Sequence, residues 1–144
     1  MGGEVEAALG RAARIADGWF PNSHDPRAYR EGWARVQSEA REARRPVAAV
    51  SPALYTTINV GPDARTAEAE LRRFIESYYG APYEAIAARW GHYASSEEGC
   101  LEWLGAFVEA GARHIVLRFA SADQQAQLDR ATTRLLPALK SWAV

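Results

Sequence analysis

Aromatic residues with polar edges crowd one stretch of the sequence, and they are its best candidates for contact with a ligand. Tyr78, Tyr79, Tyr83, Trp90 and Tyr93 lie close together along the chain. Large flat rings with a hydroxyl or N–H group at the edge suit a bulky organic substrate. The alternative is that the rings form a small hydrophobic core beneath a long segment. We predict that Tyr79 and Tyr83 face a substrate pocket.

The other side chains that could take part in catalysis or bind a metal are scattered along the sequence. His24 lies in a loop, PNSHD, where it could act as a general base or simply be solvated. His92 follows a helix break and His114 opens a strand, so the histidines lack the spacing of metal ligands. Cys100 lies beside leucines and is expected to be a small buried hydrophobe. The sequence has no Gly-x-Ser-x-Gly motif, so it predicts neither a metal site nor a serine hydrolase.

The elements that must position these residues alternate between helix and strand. Hydrophobic spacing, turn residues and β-branched runs define each of them. The predicted elements are a helix over 4–16, a short extended Trp19–Phe20, a helix capped by Asp25 and ending near Arg44, a strand over 50–60, a helix from 63 to Gly80, a short helical piece over 82–90, a helix with a capping box of Ser95 and Glu98 that ends at Gly111, a strand over 114–120, and a last helix kinked or frayed at Pro137.

This alternation predicts an α/β fold of about three parallel strands joined by right-handed crossovers. Three strands are too few to close a (β/α)8 barrel, so the fold is expected to be a partial TIM barrel, part of something larger. Residues 62–96 are expected to be an aromatic-rich insertion at the carboxyl ends of the strands, where ligands bind in such folds. We expect one domain over residues 1–144.

Composition and charge narrow the class of protein. The 144 residues, 48% of them hydrophobic, suffice for one globular domain. A net charge of −1 gives no excess of cations to neutralise phosphates, so no nucleic-acid partner is expected. The apolar runs are too short to cross a membrane, and no signal peptide is recognisable, which predicts a cytoplasmic protein without a membrane partner. A single cysteine excludes an internal disulfide.

The order of several motifs resembles that in the second half of the luciferase-like monooxygenase superfamily. These motifs are GG before a helix, then ALGRAARIADGWFP, SPALYTTINVG, YYGAPYEAI and EEGCLEWLGAFVEAGARHIVLRFA. The resemblance covers nearly the whole chain and implies the carboxyl-terminal portion of a barrel that uses flavin mononucleotide (FMN) or the deazaflavin coenzyme F420. It also implies that a complementary amino-terminal half would carry the first strands and much of the pocket.

The resemblance further implies three cofactor-binding residues. In the family a glycine pair at the end of a barrel strand helps to hold the cofactor phosphate, and Gly2 and Gly3 match that pair. Glycines at the start of a helix do let exposed N–H groups approach an anion closely. Arg118 matches a basic residue that some deazaflavin-binding relatives place near the phosphate. Alternatively, Arg118 points outward or pairs with a carboxylate.

Two functions follow from these expectations. The first is a flavin- or deazaflavin-dependent oxidoreductase or monooxygenase acting on a small organic substrate, in which the cofactor does the chemistry and the protein positions it. The second is a non-catalytic partial barrel that acts as a binding or assembly module, with exposed strand edges that demand a complementary half or self-association. No catalytic residue is assigned, and the residues do not decide between FMN and a deazaflavin.

Overall fold

The computed structural model describes residues 1–88 and 90–142. The chain falls into two compact units: Met1–Tyr55 with Ala106–Val116, and Thr56–Gly105 with the residues from Leu117 onward. The predicted single domain over 1–144 includes residues 89, 143 and 144, which lie outside the described residues. One domain therefore stays a prediction.

Seven α-helices and four strands are found among the described residues, together with a 3-10 turn over Val47–Ala49 and a π-type turn over Ala131–Leu135. The helices are α1 (Glu6–Ile15), α2 (Pro26–Glu42), α3 (Ala64–Tyr79), α4 (Tyr83–Ala87), α5 (Glu97–Glu109), α6 (Gln124–Arg130) and α7 (Leu136–Ser141). The strands are β1 (Gly18–Trp19), β2 (Ser51–Val60), β3 (His92–Ser95) and β4 (His114–Phe119). The predicted strand–helix alternation is confirmed, and the boundaries of β2 and β4 fall within one residue of those predicted.

The strands pair in parallel around β2. Gly18 of β1 pairs with Ser51, and β3 pairs with β2 from Thr57↔His92 to Val60↔Ser95. β4 also pairs with β2. The predicted α/β class with parallel strands is confirmed. β3 was not predicted: part of the segment 62–96 joins the sheet as a fourth strand.

The core of the first unit is aromatic. Trp19 and Tyr29 are fully buried, with ring centres 4.8 Å apart, and the ring of Phe107 meets Tyr29 edge-on at 5.6 Å. Asp25 caps α2 by accepting a hydrogen bond from the Arg27 N–H group, as predicted. This capped helix is what holds Tyr29 against the short strand β1.

The core of the second unit lies between α3 and the end of β4. Leu71 and Ile75, one helical turn apart, pack with Ala120 just beyond β4. α3 begins at an Asp63 cap and ends at Gly80, whose φ of 62° is the left-handed cap that the sequence predicts. These contacts fix α3 beside the carboxyl end of β4.

The predicted cap of α5 was wrong in detail. Ser95 ends β3, and it is Ser96 whose hydroxyl accepts from the Gly99 N–H group at the start of α5. Two adjacent serines offer the same cap, and the pairing of Ser95 in the sheet leaves Ser96 to supply it. In the last helical region, a wider π-type turn over Ala131–Leu135 separates α6 from α7 just before Pro137. Such a turn accommodates the carbonyl that proline displaces.

Among the residues that the structure describes, no helix is both long enough and apolar enough to span a membrane.

Candidate functional site

Arg118 lies next to last in β4, where its side chain meets the carboxyl-terminal part of α3. Its Nη1 donates a hydrogen bond of 2.6 Å to the hydroxyl of Tyr79. The guanidinium carbon lies 4.5 Å from the ring centre of Tyr78 and 5.6 Å from those of Phe74 and Tyr79. At these distances each ring face attracts the cation. The structure thus brings together two of the predicted site residues, Arg118 and Tyr79.

The rings around Arg118 continue into an aromatic cluster, which we define as Phe74, Tyr78, Tyr79 and Trp90. The ring centre of Tyr79 lies 4.2 Å from that of Trp90 and 4.7 Å from that of Tyr78. Phe74 and Tyr78 stack at 5.8 Å because they are one turn apart on α3. Tyr78 is 63% exposed, so the cluster presents flat aromatic surface to solvent beside a cation.

A cleft of about 370 Å³ lies along the same part of α3. Its lining comprises Glu70, Arg73, Phe74, Ser77 and Ala122. The hydroxyl of Ser121 donates to the Glu70 carboxylate, which ties α3 to the loop after β4. Phe74 belongs both to this cleft and to the aromatic cluster, so the cleft adjoins the rings that surround Arg118.

Tyr83, the other predicted substrate residue, opens the short helix α4 and contacts a histidine. Its hydroxyl lies 2.5 Å from Nε2 of His92, and Nδ1 of His92 lies 2.9 Å from the carbonyl oxygen of Trp90. The guanidinium of Arg72 lies over the Tyr83 ring at 4.2 Å. Burial raises the pKa of Tyr83, and the nearby Arg72 charge opposes that rise.

The predicted glycine pair belongs to the first unit. The Met1 amino group donates to the carbonyl of Gly18, and the Phe20 N–H group donates to the carbonyl of Met1, so the amino terminus runs alongside β1. Gly3 has a φ of 96°, a conformation that favours glycine, and its carbonyl accepts from the Trp19 indole. The pair therefore lies beside β1, shortly before the start of α1.

The surroundings of this glycine pair are acidic. A cleft of about 330 Å³ nearby is lined by Glu4, Leu9, Ala28, Glu31 and Gly32. None of the described side chains caps α1, so its first N–H groups are available to an anion. The two carboxylates in the cleft oppose phosphate binding there. A phosphate site at Gly2 and Gly3 stays a prediction.

The remaining candidates have ordinary environments. His24 is exposed in the loop before α2, and His114 is exposed at the start of β4. Cys100 is fully buried, and its Sγ lies 3.7 Å from the carbonyl oxygen of Asn59. Burial raises the pKa of the Cys100 thiol to about 11. Within residues 1–88 and 90–142 no group of acidic, histidine or cysteine side chains is arranged to hold a metal ion.

Sequence reasoning missed the partnership of His92 with Tyr83. The available signal was WGHYAS, in which a glycine precedes a short run that can extend as a strand. Once β3 pairs with β2 in this register, His92 is fixed at the start of the strand while Tyr83 opens α4. Without the pairing of β3 with β2, nothing in the sequence indicates that His92 and Tyr83 are in contact.

Comparison with known families identifies the chain. The family model described as luciferase-like monooxygenase matches residues 1–122. The chain belongs to the luciferase-like monooxygenase family. The matched region contains Gly2, Gly3, Tyr79, Tyr83 and Arg118, so every predicted site residue lies within it. A comparison with curated proteins gave no significant match.

Solved structures have the same fold as this luciferase-like chain. The coenzyme F420 dependent tetrahydromethanopterin reductase from Methanopyrus kandleri has a TM-score of 0.71 at 14% identity, over 95% of this chain and 49% of that one. An F420-dependent secondary alcohol dehydrogenase, in complex with an F420–acetone adduct, has a TM-score of 0.73 at 18% identity, over 96% and 47%. The EDTA monooxygenase from Chelativorans sp. BNC1 has a TM-score of 0.70 at 13% identity, over 97% and 43%.

This luciferase-like chain therefore spans about half the length of the solved structures it resembles. The recognised family and the partial-barrel fold agree with the resemblance seen in the sequence. At these identities the structural likeness establishes the fold alone. Any cofactor or reaction must be argued from the residues.

Proposed function

We propose that this chain forms the carboxyl-terminal part of a flavin- or deazaflavin-dependent oxidoreductase and that Arg118 helps to hold the cofactor. The observation that carries the proposal is the match of the luciferase-like monooxygenase model to residues 1–122. Two of the similar structures are named for coenzyme F420, and another is a riboflavin lyase with modified FMN. Either cofactor would supply the redox chemistry, and the protein would bind and orient it.

The residues around Arg118 fit such a cofactor. FMN and coenzyme F420 each combine a flat ring system with a negatively charged phosphate. Arg118 supplies a cation, held by the Tyr79 hydroxyl at 2.6 Å, which can form charge-assisted bonds with phosphate oxygens. The exposed ring of Tyr78 and the half-buried ring of Trp90 supply flat surface for a ring or a substrate. On this proposal Tyr79 positions Arg118 and contributes to the wall of the substrate pocket.

The substrate on this proposal is a small organic molecule, and the reaction is hydride transfer or monooxygenation according to the cofactor bound. The glycine pair, Gly2 and Gly3, is proposed to bind cofactor phosphate through its backbone N–H groups. We also propose that the protein is cytoplasmic and acts without a nucleic acid or membrane.

The test is a cofactor titration of the purified chain, with FMN and with coenzyme F420, followed by cofactor fluorescence. We expect saturable binding of one of them. Arg118→Ala should weaken it about 10- to 100-fold, the usual worth of hydrogen bonds to a charged group. Arg27→Ala is the matched control, because Arg27 is 85% exposed on α2 and pairs only with nearby Glu31 among the ion pairs of the described residues. If the cofactor binds and Arg118→Ala leaves its affinity unchanged, Arg118 does not help to hold it. If neither cofactor binds, the proposed function is contradicted.

A second candidate function is a non-catalytic binding or assembly module. It is favoured by large apolar side chains exposed in the first unit, with Phe20 38% and Val116 48% exposed. Such side chains suit a complementary half-barrel or another copy of the chain. Sedimentation analysis distinguishes the two functions: a module would associate without binding either cofactor.

A further inference from the structure

The hydrogen bonds of His92 fix the direction of its contact with Tyr83. The Trp90 carbonyl, 2.9 Å from Nδ1, can only accept, so the proton of the neutral imidazole lies on Nδ1. Nε2 then carries a lone pair and accepts from the Tyr83 hydroxyl at 2.5 Å. The oxygen of Tyr83 keeps its own lone pairs for a donor, which means that a ligand hydroxyl can bind there.

This pair lies in the wall of a cleft that is separate in its lining from the one beside Phe74. The cleft has a volume of about 240 Å³ and is lined by Glu68, Leu71, Tyr83, His92, Tyr93 and Ala94. Leu71, Ala94 and the Tyr93 ring are apolar surface, and the Tyr83–His92 pair and the Glu68 carboxylate are polar. The walls of the cleft thus combine apolar surface with convergent polar groups, as small-molecule sites do. At this size the cleft suits a single ring.

We propose that this cleft binds a small phenol and that the Tyr83–His92 pair takes up the proton of its hydroxyl group. The phenol O–H bond breaks as its proton passes to the Tyr83 oxygen, while the original Tyr83 proton passes to Nε2 of His92. The products are a bound phenolate and a His92 imidazolium, so charge and protons balance. This inference goes beyond the proposed function and requires neither flavin nor deazaflavin.

The charges facing Tyr83 act in opposite directions. Glu68 and Arg72 face Tyr83 from α3, and Glu84 faces it from α4. The Arg72 guanidinium, 4.2 Å above the Tyr83 ring and 2.7 Å from the Glu84 carboxylate, favours a phenolate nearby. The Glu68 and Glu84 carboxylates oppose a phenolate there, because both raise the pKa of Tyr83. A raised pKa keeps Tyr83 protonated near neutral pH, as a relay requires.

The experiment uses 4-nitrophenol as the probe, because its phenolate absorbs visible light and the neutral phenol does not. The full chain is titrated at a pH below the pKa of the free probe, and affinity is measured together with the phenolate band. We expect saturable binding that increases the phenolate band. Tyr83→Phe should weaken binding about tenfold through the lost hydrogen bond to the probe. His92→Gln keeps an acceptor for Tyr83 but offers no base, so it should bind without the phenolate band.

Tyr55→Phe is the control, since Tyr55 packs on Phe20 and is not one of the residues that line the cleft. Circular dichroism checks that each variant is folded, and His92→Gln provides the test if Tyr83→Phe does not fold. The proposal is overturned by absence of saturable binding, by unchanged affinity in folded Tyr83→Phe, or by a bound probe that stays a neutral phenol in the parent chain. Cofactor titration is independent of this assay, so each proposal can fail alone.

Discussion

The side chain of Gln127 makes hydrogen bonds with the last residue of β2, as a neighbouring strand would. We expect its replacement to lower the stability of the fold substantially. Its Oε1 accepts from the Val60 N–H group at 2.9 Å, and its Nε2 donates to the Val60 carbonyl at 3.1 Å. Gln127 is 1% exposed and Val60 is fully buried, so water cannot replace these bonds. Gln127→Met keeps the length of the side chain and removes both hydrogen bonds.

The size of the expected loss in stability depends on which hydrogen bonds the Val60 N–H and carbonyl groups keep in the variant. The carbonyl keeps a bond of 2.7 Å from Arg130, whereas the Val60 N–H group would be buried and lose the partner that Gln127 provides. A buried unsatisfied donor costs about 1–3 kcal/mol, and the second lost bond about 1 kcal/mol more. We therefore expect Gln127→Met to lower the free energy of unfolding by about 2–4 kcal/mol.

Urea denaturation followed by circular dichroism measures this difference, with the slope checked for constancy. Gln125→Met is the matched control on the same helix, because Gln125 is exposed and donates a hydrogen bond of 2.8 Å to the Asp129 carboxylate one turn along α6. It should change the free energy of unfolding by less than about 0.5 kcal/mol. If Gln127→Met costs no more than Gln125→Met, Gln127 does not stabilise the end of β2.

Three further predictions concern buried side chains. Burial raises the pKa of Tyr29 well above its usual value, and the Arg113 charge opposes that rise. The contribution of Tyr29 to stability is therefore complete below about pH 10 and is lost at higher pH. Tyr29→Phe should flatten the alkaline decline in the free energy of unfolding, and equal declines in the two proteins would refute this. Burial raises the pKa of the Cys100 thiol to about 11. At pH 8 the thiol should therefore react with a disulfide reagent about a hundredfold slower in the folded chain than in the chain unfolded by urea. Equal rates would show that the thiol is accessible in the folded chain. Gly32→Ala would place a Cβ 2.8 Å from the Trp19 ring. The substitution should lower the free energy of unfolding by about 1–3 kcal/mol, which is measured as a lower midpoint of urea unfolding. An unchanged midpoint would mean that the Trp19 ring moves without strain.

The sequence predicts the larger elements because their signals are local. VSPALYTTINV is rich in β-branched and aromatic residues and ends at a Gly–Pro turn, and it forms β2. Asp25 before Pro26 predicts the start of α2, and Gly80 predicts the end of α3. In each case one or two adjacent residues determine the backbone, so the local pattern is sufficient.

The features that escaped prediction depend on pairing between distant residues. β3 has only four residues, and its conformation comes from its ladder with Thr57–Val60 rather than from its own propensity. That ladder decides whether Ser95 or Ser96 caps α5, and it fixes His92 where Tyr83 can reach it. Arg118 and Tyr79 were each singled out from sequence, but their direct hydrogen bond requires α3 to pack against the end of β4.

The most direct test of the account is a crystal structure of the chain grown with FMN and another grown with coenzyme F420. We expect the phosphate of the bound cofactor to accept hydrogen bonds from the Arg118 guanidinium. Its ring system should lie against the aromatic cluster of Phe74, Tyr78, Tyr79 and Trp90. A bound cofactor that leaves Arg118 without a phosphate contact would contradict the account, as would crystals in which neither cofactor binds at high concentration.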